Sequence, residues 1–298
     1  MTGAGGPGRS ATELRSHLRT LTERREAVLI PGATDALGAR LIEDMGFDAV
    51  YITGAGLANS QLGVPDIGLL TVSELAAATA RIADVSSLPL LVDIDTGFGN
   101  AVNVYRTVRM LERAGASALQ IEDQVFPKKC GHFSGKAVIP LDEMLGKLKA
   151  ALDSRDDANL QIIARTDARS VEGIDRALER ANAFIEAGAD MIFVEAPLDE
   201  DEIRRIAALP APQIMNIVIG GKTPMLSLEE LKTLGFSIVL YANAVLQVTI
   251  SAVQTMLDRL RCEGSLAGYE TRLASFEERQ RVVAKSFFDA LEKRYASD

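Results

Sequence analysis

The repeating unit of this chain is clearest in the stretch Leu88-Pro89-Leu90-Leu91-Val92-Asp93-Ile94-Asp95. It is a short apolar run that ends in two acidic residues. Such a run is typical of a strand buried on both faces of a parallel sheet. Residues near 103–114, which follow it, have the apolar spacing of a helix, so the segment predicts one βα unit.

Seven further runs of this kind occur, and each precedes a stretch with helical spacing. In all, the predicted strands are 27–32, 49–53, 88–95, 118–123, 160–166, 191–196, 213–219 and 237–242. The predicted helices lie near 35–45, 73–84, 103–114, 142–153, 172–187, 199–207, 228–233 and 246–263. Eight βα units predict an α/β protein with a closed (β/α)8 barrel, a TIM barrel. An open doubly wound sheet is the alternative, but its Gly-rich nucleotide-binding turn is missing after the first predicted strand.

The segments outside the eight units predict the domain organisation. We expect residues 1–10, which are rich in glycine, to be disordered, and residues 11–298 to form a single domain. Residues 10–25 have the pattern of an added amphipathic helix. Residues 269–295 predict one or two more helices in a C-terminal tail that begins at about residue 265.

The composition of the chain narrows the classes of molecule that the protein could bind. The chain has 41 acidic and 32 basic residues and a net charge of −9, which disfavours binding to nucleic acid or to anionic lipid. No apolar run approaches the length of a membrane span, and the N-terminal residues lack the pattern of a secretion signal. The two cysteines, Cys130 and Cys262, provide no disulfide framework, so we expect a cytoplasmic protein.

Acidic residues end the third and fourth predicted strands. Asp93 and Asp95 are two residues apart on an extended segment and therefore leave the same side of the strand, and Glu122 ends the next strand. The carboxyl ends of barrel strands meet at one rim, where three carboxylates repel one another unless a cation lies among them. An all-oxygen set favours Mg²⁺ over zinc. The alternative is that these acids cap helices or pair with Arg165 and nearby lysines.

Most other predicted strands also end in polar or small residues. These ends are Thr53-Gly54-Ala55-Gly56, Arg165-Thr166-Asp167, Glu195 and Asn216. A guanidinium group and the backbone N–H groups of a Gly-rich turn are suited to binding an anion, so the pattern predicts an anionic substrate. The alternative for Arg165 is a buried structural ion pair with Glu195.

The stretch Lys128-Lys129-Cys130-Gly131-His132 follows the fourth predicted strand. Its basic side chains favour the thiolate form of Cys130, which predicts a thiol that exchanges a proton near neutral pH. The alternative is a small buried hydrophobic residue, which is our interpretation of Cys262. The segment 125–140 is long for a βα loop and contains Gly131 and Gly135, as expected of a lid that closes over substrate.

Five motifs together resemble the isocitrate lyase and phosphoenolpyruvate mutase superfamily over about residues 28–264. They are Asp93-Ile94-Asp95-Thr96-Gly97-Phe98-Gly99-Asn100, Ile121-Glu122-Asp123-Gln124, Pro127-Lys128-Lys129-Cys130-Gly131-His132, Ala164-Arg165-Thr166-Asp167-Ala168 and Val194-Glu195-Ala196-Pro197. The cysteine-containing loop is similar to that of the lyase branch, which includes 2-methylisocitrate, 2,3-dimethylmalate and 2-alkylmalate lyases. The mutase and phosphonopyruvate hydrolase branches lack this cysteine.

The resemblance implies roles for individual residues. It implies Mg²⁺, or Mn²⁺ in its place, on Asp93, with Asp66, Asp95 and Glu122 holding the waters of the ion. It implies that the substrate contacts Thr53, Gly54, Ala55, Lys129, Gly131, His132, Arg165 and Asn216. It also implies that Tyr51 and Glu195 lie near the reacting hydroxyl group and that Cys130 donates a proton to carbon.

The activity implied by the resemblance is cleavage of a carbon–carbon bond in a 2-hydroxy di- or tricarboxylate. Oxaloacetate hydrolase and phosphonomutase activities are the alternatives. Two residues depart from the family pattern: Ile219 replaces a common acidic residue, and Ala242 stands where many lyases have proline and oxaloacetate hydrolases have serine. The resemblance also implies a homotetramer in which the last barrel helix is exchanged between neighbouring subunits.

Overall fold

The computed structural model describes residues 9–129, 131, 135–221 and 223–296. Eight strands alternate with helices along the chain. The strands are β1 (Val28–Ala33), β2 (Val50–Ile52), β3 (Leu90–Asp93), β4 (Ala118–Glu122), β5 (Gln161–Thr166), β6 (Met191–Val194), β7 (Ile214–Asn216) and β8 (Ile238–Tyr241). Each predicted strand is present, and most are shorter than predicted because their ends turn into the loops at the two rims of the sheet.

The strands form one parallel sheet in the order β6-β5-β4-β3-β2-β1-β8-β7. β1 pairs with β8, with Val28 opposite Ile238, so the first and last strands are neighbours. A parallel bridge between Ile192 and Gln213 joins β6 to β7 and brings the two ends of the sheet together. The predicted (β/α)8 barrel is therefore confirmed.

Helices surround the sheet and extend the chain at both ends. They are α1 (Ala11–Glu23), α2 (Ala36–Asp44), α3 (Gly54–Leu57), α4 (Val72–Ala83), α5 (Ala101–Arg113), α6 (Leu141–Asp153), α7 (Ala168–Glu172), α8 (Ile174–Glu186), α9 (Glu200–Ala207), α10 (Leu228–Leu234), α11 (Ala244–Glu263), α12 (Phe276–Val282) and α13 (Lys285–Tyr295). The helix predicted near 172–187 is α8, whereas α7, which Gly173 (φ +90°) separates from it, was not predicted. Within the described residues, none of these helices is long and apolar enough to cross a bilayer.

Side chains alternate between two packing environments along each strand, as the pleat requires. Leu91, Ile163 and Phe193 belong to a cluster that fills the barrel. Their neighbours Val92 and Ile162 belong to a second cluster, between the barrel and its helices. A side chain two residues after one of these inward-facing residues therefore also faces the interior of the barrel, at its carboxyl-terminal rim.

Helix α1 lies against the opposite, amino-terminal end of the barrel. Its Leu18 is fully buried in the cluster that fills the barrel. Arg15 donates hydrogen bonds to the carbonyl oxygens of Ala116 (3.0 Å) and Glu112 (2.7 Å) and to Asp157 (3.1 Å). The predicted N-terminal helix thus covers the end of the barrel away from the polar rim.

Candidate active site

The polar residues predicted at the strand ends lie together at the carboxyl-terminal rim. Asp93 follows the inward Leu91 by two positions, and Arg165 follows Ile163 in the same way, so alternation along the strand turns both into the barrel mouth. Nine of the predicted side chains are at most 9% exposed: Tyr51, Thr53, Asp66, Asp93, Asp95, Glu122, Arg165, Glu195 and Asn216. Their burial makes each charge interaction here stronger than it would be at the surface.

Three predicted acids and one lysine form a cluster at this rim. The Nζ of Lys128 lies 2.5 Å from Oδ1 of Asp66 and 2.8 Å from Oδ1 of Asp95. The backbone N–H of Asp95 donates a hydrogen bond to Oδ1 of Asp93 at 3.1 Å. A Cβ added at Gly54 would lie 3.2 Å from Asp95 and 3.3 Å from Asp93, so glycine allows the second strand end to approach both carboxylates.

The position of Lys128 bears on the alternative to a metal at these acids. Its ammonium group is buried among the carboxylates, and its predicted effect on Cys130 stays a prediction because that residue lies outside the described ones. Burial raises the pKa of Asp95 to about 7, while the nearby Lys128 ammonium acts to lower that pKa and Asp93 and Asp66 raise it further. Pairing of the acids with a lysine, the alternative to a metal, therefore occurs in this structure.

Arg165 also makes the alternative contact proposed for it. Its Nη2 lies 3.1 Å from Oε2 of Glu195, so a buried ion pair is present. Its Nε lies 3.2 Å from Oε2 of Glu122 and donates to Oδ2 of Asp167 at 2.9 Å. The guanidinium carbon lies 5.1 Å from the centre of the Phe193 ring. Three carboxylates and one aromatic face thus fix the orientation of this cation.

Oε1 of Glu122 and Oδ1 of Asn216 are among the buried oxygens at the rim for which the described residues provide no hydrogen-bond partner. Burial raises the pKa of Glu122 well above its usual range, although Arg165 opposes this shift. Because a buried polar atom without a partner is costly, these oxygens are well suited to meet a ligand.

The donor set fits a largely hydrated divalent ion. Among the described residues, no three Asp, Glu, His or Cys side chains form a group that could hold an ion directly. Mg²⁺ commonly takes only one or two protein carboxylates and keeps several waters. Asp93 and Asp95 next to Gly54, together with the unpaired Oε1 of Glu122, match that requirement better than an all-protein cage.

Tyr51 lies inside the barrel below the charged residues. Burial raises its pKa well above the usual value; Asp93 and Glu195 raise it further, and Arg165 opposes them. The phenol therefore keeps its proton at neutral pH and can act as a hydrogen-bond donor.

The turn after β2 has a polar contact that the sequence did not suggest. Thr53 caps α3 by accepting a hydrogen bond from the N–H of Gly56 at 3.1 Å. Its hydroxyl donates to Oδ1 of Asn243 at 3.1 Å, which links the turn to the start of α11. Asn243 follows β8 directly, so its position after a strand end was the available signal.

The segment between β4 and α6 is anchored at both of its ends. The N–H of Val125 donates to the carbonyl of Ala137 at 2.8 Å, and the N–H of Ile139 donates to the carbonyl of Asp123 at 2.9 Å. The side chain of Gln124 exchanges two hydrogen bonds with the backbone of Lys129, at 2.8 and 2.9 Å. We call the paired residues 123–125 and 137–139 the neck of this loop.

The loop meets the site at Gly131. A Cβ added there would lie 2.6 Å from Cγ of Glu195 and 2.7 Å from Nη2 of Arg165. Only glycine can bring the backbone this close to the two side chains. Cys130 and His132, on either side of Gly131, are outside the described residues, and so their predicted roles stay predictions. The Nζ of Lys129 donates to the carbonyl of Gly135 at 2.9 Å.

Sequence reasoning missed Lys136, whose side chain is 2% exposed. Its Nζ lies 2.6 Å from Oδ1 of Asp167 and also donates to the carbonyl oxygen of Gly131. The sequence carried no signal for Lys136 because its carboxylate partner, Asp167, lies 31 residues further along the chain.

The two residues that depart from the family pattern differ in exposure: Ala242 is buried at the end of β8, whereas Ile219 is half-exposed after β7.

Comparison with known proteins identifies the family. The sequence model of the phosphoenolpyruvate phosphomutase family matches residues 18–261. The chain belongs to the phosphoenolpyruvate mutase/isocitrate lyase superfamily. It is 44% identical to the 2,3-dimethylmalate lyase of Eubacterium barkeri over 281 residues, which cover 94% of this chain and 97% of that one. It is 47% identical to the 2-methylisocitrate lyase of Aeropyrum pernix over 249 residues, or 83% and 80% of the two chains.

Solved structures of this superfamily have the same fold. A crystal structure of 2,3-dimethylmalate lyase superimposes with a TM-score of 0.90 at 31% identity and covers 98% of this chain and 97% of its own. A phosphonopyruvate hydrolase solved with oxalate and Mg²⁺ gives a TM-score of 0.86 at 31% identity and covers 94% and 98%. At least one structural neighbour in this superfamily therefore binds a divalent metal.

Proposed function

We propose that this protein is a Mg²⁺-dependent carbon–carbon lyase. Its substrate would be a 2-hydroxy di- or tricarboxylate of the 2,3-dimethylmalate or 2-methylisocitrate type, and one product would be an α-keto acid such as pyruvate. The observation that carries the proposal is the contact of Gly131 with Arg165 and Glu195. Gly131, which follows Cys130 in the sequence motif of the lyase branch, lies at the charged rim of the barrel.

The proposed reaction has a simple balance of bonds and protons. A base takes the proton of the substrate hydroxyl, the C2–O bond becomes a carbonyl, and the C2–C3 bond breaks. The electron pair of that bond stays on C3, next to a carboxylate, and C3 then takes a proton from the thiol of Cys130. A bound Mg²⁺ would supply positive charge to the oxygens on which negative charge develops.

The residues at the rim are suited to separate parts of this task. Arg165 is held rigidly and presents positive charge to a substrate carboxylate, while the turn at Thr53, Gly54 and Ala55 offers backbone donors. We assign the Mg²⁺ contact to Asp93 and the contacts to its waters to Asp66, Asp95 and Glu122. Tyr51 keeps its proton and can donate a hydrogen bond to the reacting hydroxyl.

The remaining predicted contacts complete the proposed site. Asn216 has a buried oxygen without a described partner and would bind the substrate directly. Glu195 lies against Gly131, and we assign to it the contact with the substrate hydroxyl. Lys129 and His132, on the loop, would add positive charge around the departing carboxylate fragment.

A keto-acid release assay tests the proposal. The panel is 2,3-dimethylmalate, 2-methylisocitrate, 2-alkylmalates, isocitrate and oxaloacetate, with phosphoenolpyruvate added as a mutase substrate. We expect α-keto acid and carboxylate in equal amounts from one of the 2-hydroxy acids, with loss of activity in EDTA and recovery with Mg²⁺ or Mn²⁺. Turnover of phosphoenolpyruvate or hydrolysis of oxaloacetate alone would refute it.

The assembly we propose is a homotetramer. None of the residues of α11 is buried, and Val248, Ile250, Val253 and Leu257 are each more than 40% exposed. Such a row of apolar side chains is costly in water, and we infer that a second copy of the chain covers it. We place the protein in the cytoplasm, where a reducing environment keeps Cys130 as a thiol.

A further inference from the structure

The side chain of Asp123 faces away from the barrel mouth. It follows Leu119 and Ile121, which pack between the barrel and its helices, and alternation along β4 sends Asp123 to the same layer. It is fully buried, although it is the immediate neighbour of Glu122, which faces inward. Asp123 therefore lies outside the barrel mouth and has a different role from the acidic residues of the rim.

Asp123 holds the end of β5 that carries Arg165. Its Oδ2 accepts a hydrogen bond from the hydroxyl of Thr166 at 2.7 Å, and its Oδ1 accepts one from the backbone N–H of Asp167 at 2.9 Å. These two residues directly follow Arg165. The carboxylate thus fixes the backbone from which the guanidinium and its partner Asp167 both project.

Arg180, on α8, joins this carboxylate to the neck of the loop. Its Nε donates to Oδ2 of Asp123 at 2.8 Å, and its Nη2 donates to the carbonyl oxygen of Ile139 at 2.8 Å. The N–H of Ile139 in turn donates to the carbonyl of Asp123. Asp123, Arg180 and Ile139 therefore form a closed ring of three hydrogen bonds at the base of the loop.

The same connections continue to the rim. Asp167 accepts hydrogen bonds from Arg165 and from Lys136, and Lys136 also holds the carbonyl of Gly131. The geometry points to Asp123 and Arg180 as a positioning pair for the proposed lyase reaction. The pair fixes Arg165 and the two ends of the loop relative to each other and touches neither substrate nor metal.

The surroundings of Arg180 make this assignment testable by substitution. Beside the pair lies an open cavity of about 350 Å³, bordered by Val138, Ile139, Arg176 and Arg180. Water can enter the space that a shorter or neutral side chain at position 180 leaves. We therefore expect Arg180→Met to loosen the neck while the barrel stays folded.

The experiment compares Arg180→Met with Arg15→Met. Arg15 is a matched control because it is equally buried and also bonds a carboxylate and a backbone carbonyl, but at the opposite end of the barrel. We expect kcat of Arg180→Met to fall about 100-fold, as for a misplacement of catalytic groups by about 1 Å, with a smaller change in KM. Arg15→Met should keep kcat near the wild-type value at a temperature at which both variants are folded.

Two further measurements separate positioning from general stability. Arg180→Lys, which keeps the positive charge but lacks the planar fork of donors, should recover part of kcat. Amide hydrogen exchange at Val125 and Ile139 should be faster in Arg180→Met than in wild type and unchanged in Arg15→Met. Equal kcat losses in the two methionine variants, or unchanged exchange at the neck, would overturn the inference. If wild type cleaves no acid of the panel, the proposed function fails, while the exchange measurement still decides the positioning role.

Discussion

At the scale of single residues, the site depends on which side of a strand each polar group leaves. Glu122 and Asp123 are adjacent, yet one faces the barrel mouth and the other faces α8. Lys128 shows a second effect, since its long side chain reaches past its neighbours to Asp66 and Asp95. Charge at this rim is therefore arranged by side-chain direction and reach rather than by position along the chain.

Cys130 carries the clearest chemical prediction. If its thiol protonates the departing carbanion, kcat of Cys130→Ser should fall by about 100-fold or more, because a serine hydroxyl is a much weaker acid. A loss of this size is the usual contribution of a general acid to the rate. Substrate binding should be nearly unchanged, as measured by calorimetry. Cys262→Ser is the control, since that thiol is exposed on α11; our interpretation of Cys262 as a buried residue was wrong. Near-normal cleavage by Cys130→Ser would contradict the assignment.

Lys128 should oppose the binding of a divalent ion. Its ammonium group neutralises Asp66 and Asp95, and Lys128→Met removes a positive charge from the place where an added cation must bind. We expect the dissociation constant for Mg²⁺, measured by calorimetry without substrate, to fall by about tenfold or more. Lys129→Met, whose ammonium group contacts only the carbonyl of Gly135 among the described residues, should leave it unchanged. Weaker binding in Lys128→Met would show that the lysine supports the metal instead.

At the scale of elements, the two ends of the barrel have separate roles. The carboxyl-terminal rim carries the buried charges, whereas α1 covers the amino-terminal end with Leu18 and Arg15. A buried arginine with several acceptors contributes to stability mainly because its partners become unsatisfied when it is removed.

Arg15→Met should therefore lower stability without altering the chemistry. We expect the free energy of unfolding to fall by about 3 kcal/mol, because Glu112 and Asp157 lose their buried partner. Chemical denaturation followed by circular dichroism measures this loss, and a keto-acid assay below the transition should give an unchanged kcat. A large kcat defect in the folded variant would mean that the two ends of the barrel are coupled.

At the scale of the whole molecule, helix α11 joins the barrel to the surface of the proposed assembly. It begins directly after β8, with Asn243 bonded to Thr53 of the rim, and then presents exposed apolar side chains along its length. Tail helices α12 and α13 add exposed Phe276 and Phe288. A surface of this kind favours burial against another copy of the chain.

The double substitution Val253→Glu with Leu257→Glu should weaken the proposed tetramer. Two carboxylates placed on the exposed apolar face of α11 would have to be desolvated on association. Sedimentation velocity should show smaller species than in wild type, while circular dichroism shows the same helix content. Val102→Glu, at an exposed valine of α5, is the control. An unchanged sedimentation coefficient in the double variant would place the contact elsewhere.

The order of elements was available from the sequence because each strand and helix is encoded locally. Short apolar runs and helical spacing indicated all eight strands, the barrel and the added helices at both ends, and the family motifs indicated most of the polar residues at the rim. What only the tertiary structure decided are the contacts between distant residues: Lys128 with Asp66, Lys136 with Asp167, and Arg180 with Asp123. Long charged side chains can reach many partners, and which partner each one takes depends on how the loop and helices pack, which no local pattern records.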